Sequence, residues 1–161
     1  MNNSISTAAQ QLALEGYAPH QGHTEQSLSA DAEWAKVRAT GTELWLDTGD
    51  IDEINRLYTA EFGALTTNNT LLNAEVQKGT YDDFVGYAAK VLRAVDPGIS
   101  EQELILEIAF ILNAKHALRL VSLFDARVSV ELHTDLAHDV ERSISYGRRY
   151  HAICPERFII K

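Results

Sequence analysis

A chain of 161 residues with 45% hydrophobic and 23% charged content has the size and make-up of one soluble globular domain. Its formal net charge of -9 repels phosphate backbones and anionic lipid alike, so neither nucleic acid nor a membrane surface is an expected partner. The single cysteine, Cys154, excludes an internal disulfide framework and suits a reducing compartment, where it reads as a structural thiol.

Residues 1–26 are polar and small, with Pro19 and Gly22, and read as a poorly ordered arm ahead of a folded domain over residues 27–161. The opening "MNNSIST" lacks a basic region followed by an apolar stretch, so no signal peptide is expected. The longest apolar region, 104–124, is interrupted by Glu107, Asn113, Lys115, His116 and Arg119, which opposes a membrane span. A cytoplasmic protein is the expectation. Residues 31–40 carry helix formers, and Gly41 stops them.

The core begins with a strand over 43–47, closed by "DTGD". The following "IDEINRLYTAEFG" predicts a helix with Ile51, Ile54, Leu57 and Tyr58 on one face, an Asp50–Glu53 capping box and a stop at Gly63. A second strand over 64–67 leads into a helix over 71–78. Two further helices follow, over 81–95 and 101–124, separated by "DPG"; Ser100 and Glu103 cap the second, whose apolar residues surround it almost completely. Alternation then predicts a strand over 127–132, a helix over 135–153 with Leu136, Val140, Ile144 and Tyr150 inward, and a closing strand in "RFIIK".

Strands alternating with helices predict an α/β fold with a parallel sheet, either doubly wound or part of a barrel. No Gly-x-Gly-x-x-Gly or Walker loop follows any strand, which removes the main support for nucleotide binding. In parallel α/β folds the working residues sit where strands run out into loops. Those positions hold Asp47, Thr66, Thr67, Asn68, Glu131 and Lys161. A desolvated lysine can attack a ketone to form a Schiff base, and neighbouring carboxylates can move the protons that carbon–carbon cleavage requires. Polar residues at strand ends are also ordinary loop punctuation.

Three segments, "LWLDTGDIDEI", "LTTNNTLLNAEVQKG" and "VSVELHTDLAHDVERSI...RFIIK", resemble successive parts of the transaldolase family, from about residue 43 to residue 161. The resemblance implies the first half, strands one to four, of a (β/α)8 TIM-type barrel with an extra helical segment between strands two and three. It implies transfer of a dihydroxyacetone unit between sugar phosphates of the pentose phosphate pathway, through a Lys161 Schiff base and without a cofactor. Asp47 would take the proton from the substrate hydroxyl, and Glu131 would position a water at the Schiff base. The family's "TTNP" motif falls on Thr66, Thr67, Asn68 and Asn69, so that by this resemblance Asn68 would bind substrate hydroxyls with Thr66 and Thr67 beside it. Asn69 departs from the motif's proline, which relaxes the loop without removing a group the chemistry uses.

The later strands, with the family's phosphate-binding arginines, would lie beyond Lys161. A barrel of this kind spans about 250 residues, and four strands leave two sheet edges unpaired; little activity is therefore expected of 161 residues alone. Two alternatives stand beside this reading. One is a sugar-phosphate aldolase of the same superfamily; the other is a non-catalytic half-barrel module that covers its open edges as a homodimer. A metal site at His133, Asp135, His138 and Asp139 would need a tight turn to converge on one ion, and no metal is expected. Tyr146, Tyr150 and Cys154 read as packing, and Arg148 and Arg149 as a solvated helix face.

Overall fold

The computed structural model describes residues 3–17 and 28–161. Strands β1 (Leu44–Asp47), β2 (Phe62–Thr66), β3 (Arg127–Val130) and β4 (Phe158–Ile160) form one sheet in the order β1-β2-β3-β4, with every pair parallel. A strand order that never reverses has no switch point, and right-handed crossovers then carry all connecting helices to one face. This excludes the doubly wound alternative. Leu46, Leu65, Val128 and Phe158 are successive cross-strand neighbours, and all of them join the hydrophobic core.

The helices are α1 (Asn3–Leu14), α2 (Ala32–Ala39), α3 (Ile51–Leu57), α4 (Asn69–Val76), α5 (Asp82–Val95), α6 (Glu101–Phe124) and α7 (Val140–Ile153). Side chains cap most of their N-termini as residue type dictates. Asp31 accepts from Glu33 N and Trp34 N, Asp50 from Asp52 N and Glu53 N, and Ser100 from Glu103 N. The box at α3 is completed through a third residue. Glu53 accepts from the Thr48 hydroxyl at 2.6 Å, and Thr48 Oγ1 accepts from Asp50 N at 3.1 Å.

Four sequence expectations are corrected. Residues 3–14, expected within a poorly ordered arm, form α1, whose Ile5, Ala8, Ala9, Leu12 and Ala13 are buried. Their spacing is that of one helical face, built largely from alanine, and such small side chains allow close approach to α5 and α6. Lys115 Nζ donates to the Leu12 and Glu15 carbonyls at the end of α1. The rest of the expected arm, residues 1–2 and 18–26, lies outside the described residues.

The second correction concerns Gly63, which does not stop α3 but lies in β2. Leu44 pairs with Phe62 and Trp45 with Ala64, so Gly63 is the extra residue of a bulge. A Cβ there would come within 2.9 Å of Glu43 Oε1, so a side chain at this position would require the Glu43 side chain to move aside. The third concerns α7. A short 3-10 turn over Thr134–Leu136 precedes a fresh start at Val140, capped by Asp139. This break shifts the helical phase, leaving Val140 71% exposed and Ile144 exposed, while Tyr146, Arg149, Tyr150 and Ile153 turn inward.

Arg149 is therefore not part of a solvated face. Its guanidinium meets Glu107 of α6, which is 0% exposed, through Nη1–Oε1 at 2.9 Å and Nη2–Oε2 at 2.5 Å. Tyr146 donates to Glu107 Oε1 at 2.6 Å, and the guanidinium lies 4.0 Å from the Phe110 ring centre. Both charges have left water, so each depends on the other. Glu107→Gln is expected to destabilise the fold by about 3–5 kcal/mol, because it strands a buried guanidinium. Urea unfolding of the variant measures this, and a loss below about 1 kcal/mol would contradict the assigned dependence.

Candidate functional site

Strand side chains alternate between faces, and the register decides which residues meet. Asp47 pairs with Thr66, Thr66 with Ser129 and Ser129 with Ile159. Lys161 N donates to Val130 O at 3.0 Å and Leu132 N donates to Lys161 O at 2.8 Å, which sets Lys161 opposite Glu131 by the parallel ladder rule. Two residues along a strand return to the same face. Asp47, Thr66, Ser129, Glu131 and Lys161 thus share the face opposite the helices, at the C-terminal end of the sheet. Lys161 Nζ donates to Thr66 Oγ1 at 3.0 Å.

The remaining expected residues take different positions. Asn68 is the N-cap of α4, its Oδ1 accepting from Leu71 N at 2.9 Å. Thr67 is 1% exposed and lies under the β1 loop, where a Cβ on Gly49 would come 3.4 Å from its Oγ1. The structure therefore brings Asp47, Thr66, Glu131 and Lys161 to one face, sets Asn68 beside them as a cap, and gives Thr67 to the support beneath. Asp139 caps α7, and His133 Nδ1 accepts from Asp135 N. Among the described residues no group of three or more His, Cys, Asp or Glu side chains is arranged to hold a metal ion.

Glu131 is held by residues that spacing did not single out. Asn113 of α6 donates through Nδ2 to the Glu131 backbone carbonyl at 2.8 Å. Asn69 donates to the Glu131 carboxylate Oε2 twice, from its backbone N at 2.9 Å and from Nδ2 at 2.8 Å, and Nδ2 also reaches Leu132 O at 3.0 Å. The sequence carried one signal for Asn113: an amide inside a helix that is apolar on every side must have a partner.

His116, one turn further along α6, supports the β1 loop in the same way. Its Nε2 lies 2.9 Å from Gly49 O and its Nδ1 2.9 Å from Tyr81 Oη. A carbonyl can only accept, so Nε2 carries the proton and Nδ1 accepts from the tyrosine hydroxyl. Burial pushes the imidazole below the usual histidine range, with the Gly49 carbonyl and Glu75 pulling upward and Arg119 and Lys78 pushing it lower. Lys78 binds Asp50 and Glu75 together, at 2.9 and 2.6 Å, and these bonds push it up to about 12. The loop after β1 is thereby fastened to both α4 and α6.

Residues 44–161 match the family described as Transaldolase/Fructose-6-phosphate aldolase. A transaldolase of Xanthomonas campestris pv. campestris (strain B100) is 34% identical over 115 residues, covering 71% of this chain and 34% of the relative. A transaldolase of Xanthomonas oryzae pv. oryzae (strain PXO99A) is 33% identical over 115 residues with the same shares. One of Methylococcus capsulatus (strain ATCC 33009 / NCIMB 11132 / Bath) is 30% identical over 122 residues, covering 71% of this chain and 36% of the relative. The matched stretch spans about a third of the length of these curated relatives.

The His116 bonds carry a pH dependence. The unfolded chain protonates this histidine near about pH 6.5, whereas the folded chain resists protonation to lower pH. Between those values the unfolded state binds more protons, so folding stability falls as pH falls, by up to about 1.4 kcal/mol per unit. Denaturant midpoints measured from about pH 7 down to about pH 5.5 are expected to drop in the wild type and to drop less in His116→Gln.

Proposed function

The chain belongs to the Transaldolase/Fructose-6-phosphate aldolase family over residues 44–161, and from that premise we propose that its site transfers a dihydroxyacetone unit between sugar phosphates through a Schiff base at Lys161. The donor would be a ketose phosphate such as sedoheptulose 7-phosphate or fructose 6-phosphate, as in the pentose phosphate pathway. The four strands correspond, on this reading, to the first half of a (β/α)8 barrel. The observation that carries the proposal is the shared face of Asp47, Thr66, Glu131 and Lys161, with the Lys161 amine 3.0 Å from the Thr66 hydroxyl.

The steps balance as follows. The unprotonated Lys161 amine adds to the donor ketone, and the carbinolamine loses water to give an iminium. Asp47 takes the proton from the hydroxyl on the carbon that will leave, the carbon–carbon bond breaks, and its electron pair moves into the iminium as an enamine. An aldose phosphate is released. The enamine then attacks the acceptor aldehyde, Asp47 returns the proton to the new alkoxide, and water hydrolyses the iminium to free the product ketose and Lys161. Glu131 orients the water that enters and leaves the Schiff base. With Asn68 Oδ1 committed to α4, this residue would bind substrate hydroxyls through Nδ2 as a donor.

Thr66 holds the Lys161 amine over the face and must release it for attack. The names of the curated relatives, all transaldolases, favour transfer to an acceptor over simple release of the three-carbon unit. Among the described residues the inner face is open, since Trp45 and Lys161 are both exposed, and water with free access to the iminium competes with the acceptor.

Borohydride treatment with fructose 6-phosphate is expected to leave a reduced three-carbon or six-carbon adduct on Lys161, located by peptide mass mapping. Lys161→Arg should abolish it, and Thr66→Val should slow its formation. Turnover of fructose 6-phosphate with erythrose 4-phosphate by a polypeptide of these 161 residues is expected to stay at background. An adduct on another lysine, or unchanged labelling in Lys161→Arg, would overturn the assignment.

A further inference from the structure

We propose that Asn69 is a positioning residue that clamps one oxygen of the Glu131 carboxylate and leaves the other for the reaction water. The inference rests on the Schiff-base reading for the role of Glu131, but the clamp itself rests on geometry alone. A glutamate at the end of a strand has three side-chain torsions to fix, and a single hydrogen bond leaves it free to pivot. Here one residue supplies two donors to one atom, the backbone N and Nδ2 both meeting Oε2. Nδ2 is itself anchored by the Leu132 carbonyl at 3.0 Å, so the amide cannot rotate without giving up both of its bonds.

The backbone of Glu131 is fixed separately through Asn113, so strand end and carboxylate are each tied to a different helix. Asn69 is the first residue of α4, where a backbone N–H has no carbonyl partner inside the helix and is available to a carboxylate. The bonds at Oε2 leave Oε1 as the oxygen for a water at the Schiff base. A proline at position 69 could supply neither donor, having no N–H and no amide. Asparagine there is thus more than a relaxed loop residue: it adds a clamp.

The same comparison provides a variant that should fold. Proline is well accepted at the first position of a helix, and it requires an extended residue before it. Asn68 is already extended, at φ -144° and ψ 172°. Asn69→Pro therefore removes both donors with little backbone strain, while Asn69→Ala removes Nδ2 alone. Each would be compared with the wild type, alone and combined with Glu131→Gln, in two measurements on the full chain: the rate of borohydride trapping at Lys161 with fructose 6-phosphate, and the position of the Asn69 amide signals in 1H–15N spectra.

The expected result is that Asn69→Ala slows trapping by roughly tenfold and Asn69→Pro by more, with neither adding to the loss in the Glu131→Gln background. The Asn69 backbone and side-chain amide signals should both move in Glu131→Gln. Equal slowing with and without Glu131 would mean that Asn69 acts through general structure, and would overturn the proposal. If no variant, wild type included, traps at Lys161, the Schiff-base reading fails while the amide signals still decide the clamp: signals that ignore Glu131→Gln would overturn it.

Discussion

Helix α6 carries Glu107, Asn113 and His116 into the interior, and a polar group buried without a partner costs more than most single interactions return. Each of the three is answered by a different part of the chain. Arg149 and Tyr146 of α7 meet Glu107, the backbone after β3 meets Asn113, and the loop after β1 meets His116. These bonds set the depth and rotation of the helix. A purely apolar α6 could slide or turn against the sheet with modest loss, whereas this one cannot shift without stranding an amide, an imidazole or a charge.

The consequence reaches the other face of the sheet. Strand register sets Lys161 opposite Glu131 and Asp47 beside Thr66, but register alone leaves the loops beyond the strands free. Asn113 and His116 hold two of those loops from beneath, and Asn69 holds the Glu131 carboxylate from the start of α4. The face that carries Asp47, Thr66, Glu131 and Lys161 is thereby supported from the helix side, through backbone carbonyls by Asn113 and His116 and through the Glu131 carboxylate by Asn69. Such an arrangement suits chemistry in which a lysine, a carboxylate and a water must keep their relative positions through several steps.

Much of the fold was legible because its signals are local. Capping residues at Asp50 and Ser100, the all-round apolar pattern of α6, and alternation at β3 depend on a few adjacent residues and on periodicities that the backbone imposes. The readings that failed are those in which a distant contact overrides a local pattern. Gly63 looks like a helix stop until Leu44 pairs with Phe62 and the glycine becomes a bulge beside Glu43. Val140 and Ile144 look inward only if the preceding turn continues the helix, and a fresh cap at Asp139 changes the phase. The alanine-rich face of α1 has little hydrophobic signal of its own, and its burial depends on the surfaces of α5 and α6. Of the candidate site, the residue types at the strand ends were readable from position, whereas the clamp on Glu131 was not, since Asn69 is 62 residues from its partner.

By itself, the sequence determined most of the element types and their order from α2 onward, and the family to which residues 44–161 belong, because helix and strand periodicity and the short motifs at strand ends are written in neighbouring residues. The tertiary structure alone decided that the alanine face of α1 is buried against α5 and α6, that Arg149 is a buried partner of Glu107, and that Asn69 and Asn113 together fix Glu131. All of these depend on which groups are desolvated together. Desolvation is a property of the packed whole, and the same arginine or asparagine is written identically in a sequence whether water or a carboxylate will surround it.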